Sequence, residues 1–391
     1  MTTNSKKTIV RVTTIPGSLK TLLKGQLKFM SNHYRIIGVS SSGDDLLEVE
    51  KNEGIETKAI EMTRVISPIK DIKATIKLYK FLKRERPFIV HTHTPKAGIV
   101  GMLAAKLARV PHRYHTVAGM PLLEATGIKR KILNAVESLT YGLATKVFPN
   151  SMGLYDIIID EGYTKKSKLE VIGKGSSNGI NVDHFNRNQI SEEQQQLLKD
   201  ELGLKEDDYV LVYVGRLVKD KGVNELIQAF VEFQNINPKA KLILVGPREN
   251  HLDPLHPQTE KEISNNPNII GAGWQNDVRP FMAISKIMVF PTYREGFPNV
   301  VLQAGAMGLP SIVTDINGCN EIVKHGHNGV IIPTKSSSAI VDALKTLHMQ
   351  PELLKDMSKN AREKVARDYR HEYIWGELLK LYKNTEANHV L

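Results

Sequence analysis

Two trains of short β-rich runs, broken by one polar stretch, constrain this chain more than any other feature of its sequence. The first train reads TIVRVTT, YRIIGVS, PFIVHTHT, HRYHTVAG and KVFPNS. Each run is rich in β-branched or apolar residues and bounded by Gly, Pro or polar clusters, as strands buried on both faces are. Helix-length segments lie between them, among them Pro68 to Arg86 and Lys96 to Ala108. The rhythm stops at Glu192 to Asp208, EEQQQLLKDELGLKEDD, which is polar, lacks a strand pattern and reads as a linker. It restarts with YVLVYVGRL, AKLILVGP, NIIGAG, KIMVFPT and PSIVTD. Alternation of strand and helix implies a parallel sheet covered by helices on both faces.

The expected fold class is therefore α/β, with two tandem doubly wound, Rossmann-like parallel-sheet domains facing a cleft. Expected boundaries are 1–185 for the first domain and 186–370 for the second. A last helix, about 371–388, carries Tyr373, Ile374, Leu378 and Leu381 at helical spacing and is expected to pack back on the first domain. A chain of 391 residues is too long for one ordinary core and suits two. In open parallel sheets, ligands bind beyond the carboxyl ends of the strands.

No apolar run is long enough to span a bilayer, and MTTNSKKTIVRVTT has no signal-peptide core. The lone Cys319 allows no intramolecular disulfide, so a reducing cytoplasm is the expected compartment. The charge is lopsided. Residues 1–180 hold 29 Lys and Arg against 15 Asp and Glu, whereas the remainder holds 24 against 27. A basic first half is either a solvated surface that keeps the protein soluble, the plainer reading of the charge alone, or one drawn to something anionic: a membrane surface, a phosphorylated substrate or nucleic acid. In SLKTLLKGQLKFM, Leu19, Leu22, Leu23, Leu27 and Met30 keep helical spacing beside Lys20, Lys24 and Lys28. Farther on, Lys70, Lys73, Lys77, Lys80 and Arg84 fall on one helical face. An amphipathic helix with its apolar side in the core explains that spacing, but not why the solvent side is almost single-signed.

The stretch PTYREGFPNVVLQAGAMGLPSIVTD, Pro291 to Asp315, joins a strand to a helix. Pro298 suits the first helical turn, where its missing N–H costs nothing. The free N–H groups of that turn, with Gly296 admitting close approach, form an anion site. Glu295 cannot bind a phosphate itself and is placed to accept hydrogen bonds from neutral hydroxyls. Gln303 lies about two turns into the helix. Upstream, VGRLVKDKG places Arg216 and Lys221 on a loop leaving a strand end, and both are donors suited to a diphosphate. These residues together suggest a sugar phosphate or a nucleotide sugar, although a plain strand–loop–helix connection with an exposed Glu and a charged surface turn would also explain them.

VGRLVKDKGVNELIQAF, REGFPNVVLQAGAMGLPSIVTDINGCNEIV and HGHNGVIIP resemble the donor domain of family-4 retaining glycosyltransferases of the GT-B fold. VHTHTPKAGIVGMLAAKLARVPHRYHTVAGM and GSSNGINVDHF resemble the first domain of the same family, notably its capsule and surface-polysaccharide branch. The resemblance runs from Thr8 to about Tyr373. It implies that Glu295 opens the family's Glu-x7-Glu motif and contacts donor-sugar hydroxyls. The backbone of Gly296, Phe297, Pro298 and Asn299 would hold the sugar and diphosphate, and Gly215, Arg216 and Lys221 the diphosphate. The second motif Glu, on the ribose in the family, is Gln303 here, which loses charge-assisted strength. Trp274 lies where the family lines its nucleobase pocket, although plain packing would also explain it. Gly17 and Ser18 stand at the family's glycine loop after the first strand. His93, Lys96 and His115 are the candidates on the acceptor side, although histidines packed in the core or at a strand end and a solvated lysine would also explain them.

The activity so implied is transfer of a sugar from a nucleotide sugar, UDP-linked as first choice, to a hydroxyl of a lipid-linked glycan, with retention of anomeric configuration. The resemblance implies no cofactor and no metal; the nucleotide sugar is a co-substrate. Expected partners are that donor, a lipid-linked or glycan acceptor and an anionic membrane surface, with no nucleic acid. The expected location is cytoplasmic, peripheral on the inner face of the cytoplasmic membrane. Rival readings are a nucleotide-sugar epimerase of the same fold and a non-catalytic basic protein binding membrane or nucleic acid. A Rossmann oxidoreductase is disfavoured, since TTIPGSLK does not supply G-x-G-x-x-G after the first strand.

Overall fold

The computed structural model describes residues 6–65, 67–120, 122, 125–249 and 253–390. The chain divides into two compact units: Met1–Asn178 with His371–Leu391, and Gly179–Arg370. The division thus falls at Asn178/Gly179, ahead of the expected 185/186, and the C-terminal helix His371–Val390 belongs to the first unit.

The first unit is built on β1 (Thr8–Val12), β2 (Arg35–Ser40), β3 (Glu56–Ala59), β4 (Ile89–Thr92), β5 (His112–Val117) and β6 (Lys146–Pro149). All pairs are parallel, in the order β3-β2-β1-β4-β5-β6. Alternate residues of each strand feed two different cores, as a pleated strand requires. Val10, Val12, Ile37, Val39 and Val90 pack with Leu78 and Leu82 of the helix Pro68–Glu85. Ile9, Ile36 and Ile89 pack on the other face with Leu19, Leu23, Leu27, Leu378 and Tyr382. Leu378 and Tyr382 are 2% and 0% exposed, so the last helix closes this second face. Burial of such a side chain stabilises by about 1.5–3 kcal/mol.

The second unit repeats the plan with β7 (Tyr209–Val214), β8 (Ala240–Val245), β9 (Ile269–Gly273), β10 (Ile287–Phe290), β11 (Ser311–Thr314) and β12 (Gly329–Ile332). Its order is β12-β11-β10-β7-β8-β9, again all parallel. Strand order therefore reverses between β1 and β4 in one unit and between β7 and β10 in the other. These are the topological switch points at which doubly wound sheets place ligands.

Three features differ from the sequence reading. The stretch Glu192 to Asp208 is not a linker: Glu192–Glu201 is a helix of the second unit, started by a capping box between Ser191 and Gln194. It packs on the helix Arg279–Ala283 and buries none of its own residues fully, which is why it reads as polar. The leucine-rich segment 18–30 is not one helix but two, Pro16–Leu22 and Gln26–Ser31, separated at Gly25. The strands β3 and β12 were not expected. Both are four-residue edge strands, and β3 is largely exposed. Among the described residues no helix is long and apolar enough to cross a membrane.

Candidate functional site

The site in the second unit is assembled at the carboxyl ends of β7 and β10. After β7 the chain runs through Gly215 and Arg216 into a short 3-10 turn, Lys219–Lys221, and then the helix Val223–Ile236. Gly222 is the pivot: its φ is +69°, and a Cβ there would overlap the carbonyl oxygen of Pro291, just past β10. Only glycine lets the two segments approach so closely. The backbone is also stitched directly, with Tyr293 N donating to Asp220 O at 2.9 Å.

This approach brings Lys221 onto Glu295. Nζ stands 2.6 Å from Oε1, with the side chains 13% and 21% exposed. Lys221 Nζ also reaches Thr292 Oγ1 and the Arg294 carbonyl, each at 3.5 Å. Beside it Arg294 Nη2 pairs with Asp220 Oδ2 at 2.8 Å, and Tyr293 OH donates to Glu225 Oε1 at 2.7 Å. Asn317 Nδ2 donates to the carbonyl of Glu295 and, at 3.3 Å, to that of Gly296, fixing the loop from its far side. The buried Cys319 thiol is pushed well above its ordinary pKa by burial and then by the Glu295 charge.

Arg216 is held differently. Its Nη1 donates to Glu249 Oε2 at 2.8 Å. Glu249 follows β8, and its loop is fastened along Arg216 by Leu217 N donating to Pro247 O at 2.9 Å. At Gly246, with φ +145°, a Cβ would overlap the Gly215 carbonyl oxygen. Tyr213 OH donates to the Arg216 carbonyl at 2.8 Å, steadying the same turn.

The helix after the motif is Asn299–Ala306, with Pro298 as its N-cap rather than its first residue. Gly296, Phe297 and Pro298 are buried and Asn299 is exposed. The Phe297 ring lies against Tyr369, centroids 5.4 Å apart, so it serves the core and leaves only its backbone to a ligand. Gln303 is half-buried in this helix. Trp274 follows the edge strand β9 and is 66% exposed, which rules out plain packing. It lines a groove of about 480 Å³ with Leu197, Leu198, Pro280 and Phe281, two strands away from β7.

The first unit treats its candidates otherwise. Gly17 and Ser18 lie in the first turn of the helix Pro16–Leu22, not in a loop. His93 is 3% exposed, and its Nε2 accepts from Arg11 Nε at 3.0 Å. His91 Nδ1 meets Tyr382 OH at 2.6 Å and its Nε2 meets Thr116 Oγ1 at 2.8 Å. His115 is 2% exposed, bonded through Nδ1 to Thr92 Oγ1 at 2.7 Å and seated against Gly98 of the helix Pro95–Leu107. Burial holds it at a pKa of about 4. His93 and His115 are thus core histidines. Lys96 is ion-paired with Asp71 at 2.5 Å and only 10% exposed. Among the described residues no group of three or more His, Cys, Asp or Glu is arranged to hold a metal.

The geometry therefore unites Arg216, Lys221 and Glu295 with partners that the sequence reading missed: Asp220, Glu249, Arg294 and Asn317. Asp220 stood beside Lys221 in VKDKG and could have been found as an acid next to a cationic loop. Glu249 carried no local signal.

Comparison with known proteins decides the family. The description Glycosyl transferases group 1 matches residues 194–364, and Glycosyl transferase 4-like domain matches 35–175. The capsular polysaccharide biosynthesis glycosyltransferase CapM of Staphylococcus aureus is 32% identical over 96% of this chain and 96% of its own. This chain belongs to the family-4 glycosyltransferases. A second relative of this glycosyltransferase is the UDP-Gal:alpha-D-GlcNAc-diphosphoundecaprenol alpha-1,3-galactosyltransferase of Escherichia coli. It is 33% identical over 79% of this chain and 78% of its own. The structure of Anabaena Alr3699/HepE in complex with UDP superposes with a TM-score of 0.79 at 18% identity, covering 97% of this glycosyltransferase and all of that chain. The shared fold is GT-B.

Proposed function

We propose that this glycosyltransferase moves a sugar from a UDP-sugar to a hydroxyl of a diphospholipid-linked glycan during surface-polysaccharide synthesis, with retention of configuration. The observation that carries the reading is the meeting of Lys221 and Glu295 at the carboxyl ends of the two switch-point strands of the second unit. Both relatives support it: one is named for capsular polysaccharide, the other for a UDP-linked donor and a diphosphoundecaprenol-linked acceptor.

In this reading the main barrier is negative charge growing on the departing diphosphate. Lys221, Arg216 and the free N–H groups at the start of the helix Asn299–Ala306 meet that charge with preorganised electrostatics. Glu295 accepts hydrogen bonds from the sugar hydroxyls and leaves Lys221 free for the phosphate as the donor enters. The leaving-group charge is thus assigned to side chains and backbone, and no divalent cation is called on. The leaving phosphate takes the proton of the attacking hydroxyl on the same face, which retains the configuration.

The acceptor would be met at an anionic membrane surface on the cytoplasmic side. The helix Pro68–Glu85 supports this: beside its exposed Lys70, Lys73, Lys77 and Lys80 it exposes Ile69, Ile72 and Ile76, by 71%, 60% and 49%.

The test is a calorimetric screen of UDP-, GDP- and ADP-sugars, followed by transfer assays on a diphospholipid-linked sugar in excess chelator. Binding confined to UDP-sugars, with chelator-resistant transfer, is expected. Failure of every nucleotide sugar to bind would overturn the reading.

A further inference from the structure

A charged residue stands in the core of the first unit without a counter-charge. Arg11, within β1, is 0% exposed. Its Nε donates to His93 Nε2 at 3.0 Å and its Nη2 to Gln26 Oε1 at 2.6 Å. Both partners are neutral, and Nη1 has no partner among the described residues. The lowering of its pKa comes first from burial and is opposed only by the phenol of Tyr382, with no carboxylate acting on it.

The Arg11 contact also fixes the proton on His93. Because Nε2 accepts from Arg11, the neutral ring carries its hydrogen on Nδ1, which is then a donor. That Nδ1 is buried and unpartnered as well, as are Ser177 Oγ and Asn150 Oδ1. All four side chains line one cavity of about 10 Å³, walled by Phe148 and Ile374. It has room for a single body of about water size. Asn150 Nδ2 is committed to the Ala118 carbonyl at 3.3 Å, so its Oδ1 is the one clear acceptor among these orphans.

A water could satisfy hydrogen bonds there, but it brings no charge. Interiors avoid leaving a guanidinium unneutralised, because neither solvent nor counter-ion then offsets its desolvation. Donors prevail in the cavity: Arg11 Nη1–H, His93 Nδ1–H and the Ser177 hydroxyl. We propose that this cavity binds a monatomic halide, chloride under ordinary conditions, held by Arg11, His93 and Ser177. Phosphate, sulfate and carboxylates are too large for it. The ion would tie β1, the end of β4 at His93 and the end of β6 at Asn150 to the segment that closes the first unit. This proposal does not depend on which sugar or nucleotide the enzyme uses.

The test pairs two measurements on the full chain. Crystals grown with bromide in place of chloride are expected to show anomalous density in the cavity, within hydrogen-bonding reach of Arg11 Nη1. Thermal unfolding, with chloride exchanged against gluconate at constant ionic strength, is expected to rise in midpoint and saturate. Ser177→Ala keeps Arg11 intact and is expected to raise the half-saturating chloride concentration about tenfold. A cavity holding only water overturns the proposal, as does a midpoint indifferent to the anion. A bromide peak without a saturable effect in solution is binding at crystal concentration only, and a saturable effect with the peak elsewhere moves the ion to another site. Either result also overturns it.

Discussion

Lys221 Nζ lies 2.6 Å from Glu295 Oε1, although the two residues are 74 positions apart. The pair is largely sheltered, so each charge is set against the other rather than against bulk water. The two partners nevertheless have opposite relations to an incoming diphosphate. Lys221→Gln removes the cation and leaves Glu295 to repel it. Loss of kcat/KM by about 10²–10³-fold is expected, with UDP binding weakened by about tenfold. Glu295→Gln is expected to lose transfer to a similar extent while UDP binds as tightly as before or more so. Calorimetry with UDP, run beside the transfer assay, separates the two roles. Equal weakening of UDP binding in both variants would contradict them.

Glu249 has a comparable place opposite Arg216. Its carboxylate holds the guanidinium at 2.8 Å; burial lowers the Arg216 pKa, but this bond together with the charges of Glu249 and Asp220 outweighs it, so the net direction is upward. A diphosphate that takes Arg216 must displace that carboxylate or share the guanidinium with it. Glu249→Gln removes the competing charge, and UDP is expected to bind about threefold to tenfold more tightly. Calorimetry at low and high salt checks this, the gain shrinking as salt screens it. Weaker UDP binding in Glu249→Gln would make Glu249 a support for Arg216 rather than its competitor.

How much of this was legible in the sequence depended on where each residue sits. Central strands such as YVLVYV and IMVF announce themselves, because burial on both faces demands unbroken apolar runs. Edge strands escape that demand: ETKA in β3 has no buried residue to betray it. Arg216, Lys221 and Glu295 were readable because each stands just past such a central strand. His93, Lys96 and His115 stood at equivalent places in the first unit and proved to be occupied by Arg11, Asp71 and Thr92. Those partners lie 82, 25 and 23 residues away, and no local pattern reports a partner that only the fold supplies. Arg11 did leave a trace, as the one charge inside TIVRV.

The buried histidines of the first unit make its stability depend on pH. His115 titrates near 4 in the native protein against 6.5 when exposed, and burial likewise drives His91 and His93 well below that value. The native core therefore refuses protons that the unfolded chain accepts. Above pH 6.5 this costs nothing; between 6.5 and 4 stability falls as pH falls, by about 3 kcal/mol for His115 alone. Urea unfolding at constant ionic strength, stepped from pH 7 down to pH 5, is expected to show the decline. His115→Gln, which keeps a hydrogen-bonding group toward Thr92, is expected to remove about one proton from the slope. An unchanged slope would show that His115 is accessible in the native state.

The helix Pro68–Glu85 carries the prediction about the membrane. Its core side is Ala74, Leu78, Phe81 and Leu82, its basic stripe is Lys70, Lys73, Lys77 and Lys80, and Ile69, Ile72 and Ile76 form a third stripe adjoining the lysines. The sequence reading allowed for the first two and not for the third, since isoleucine at helical spacing is ordinarily core. The helix Gly127–Leu143, across the helix Pro95–Leu107 from it, likewise exposes Ile128 and Ile132 by 78% and 48%, beside exposed Lys129 and Lys131. Lysines near an anionic surface contribute about 1 kcal/mol each and are screened by salt, whereas isoleucines entering the interface contribute through burial and are not. Co-sedimentation with anionic vesicles should therefore fall only partly as salt is raised to about 0.5 M. The triple variant Ile69→Ser, Ile72→Ser, Ile76→Ser should abolish the salt-resistant fraction and spare the salt-sensitive one. Because these side chains are already exposed, its unfolding midpoint should stay near that of the wild type. Binding that vanishes entirely with salt in the wild type would confine the contact to charge and leave the isoleucines without a part in it.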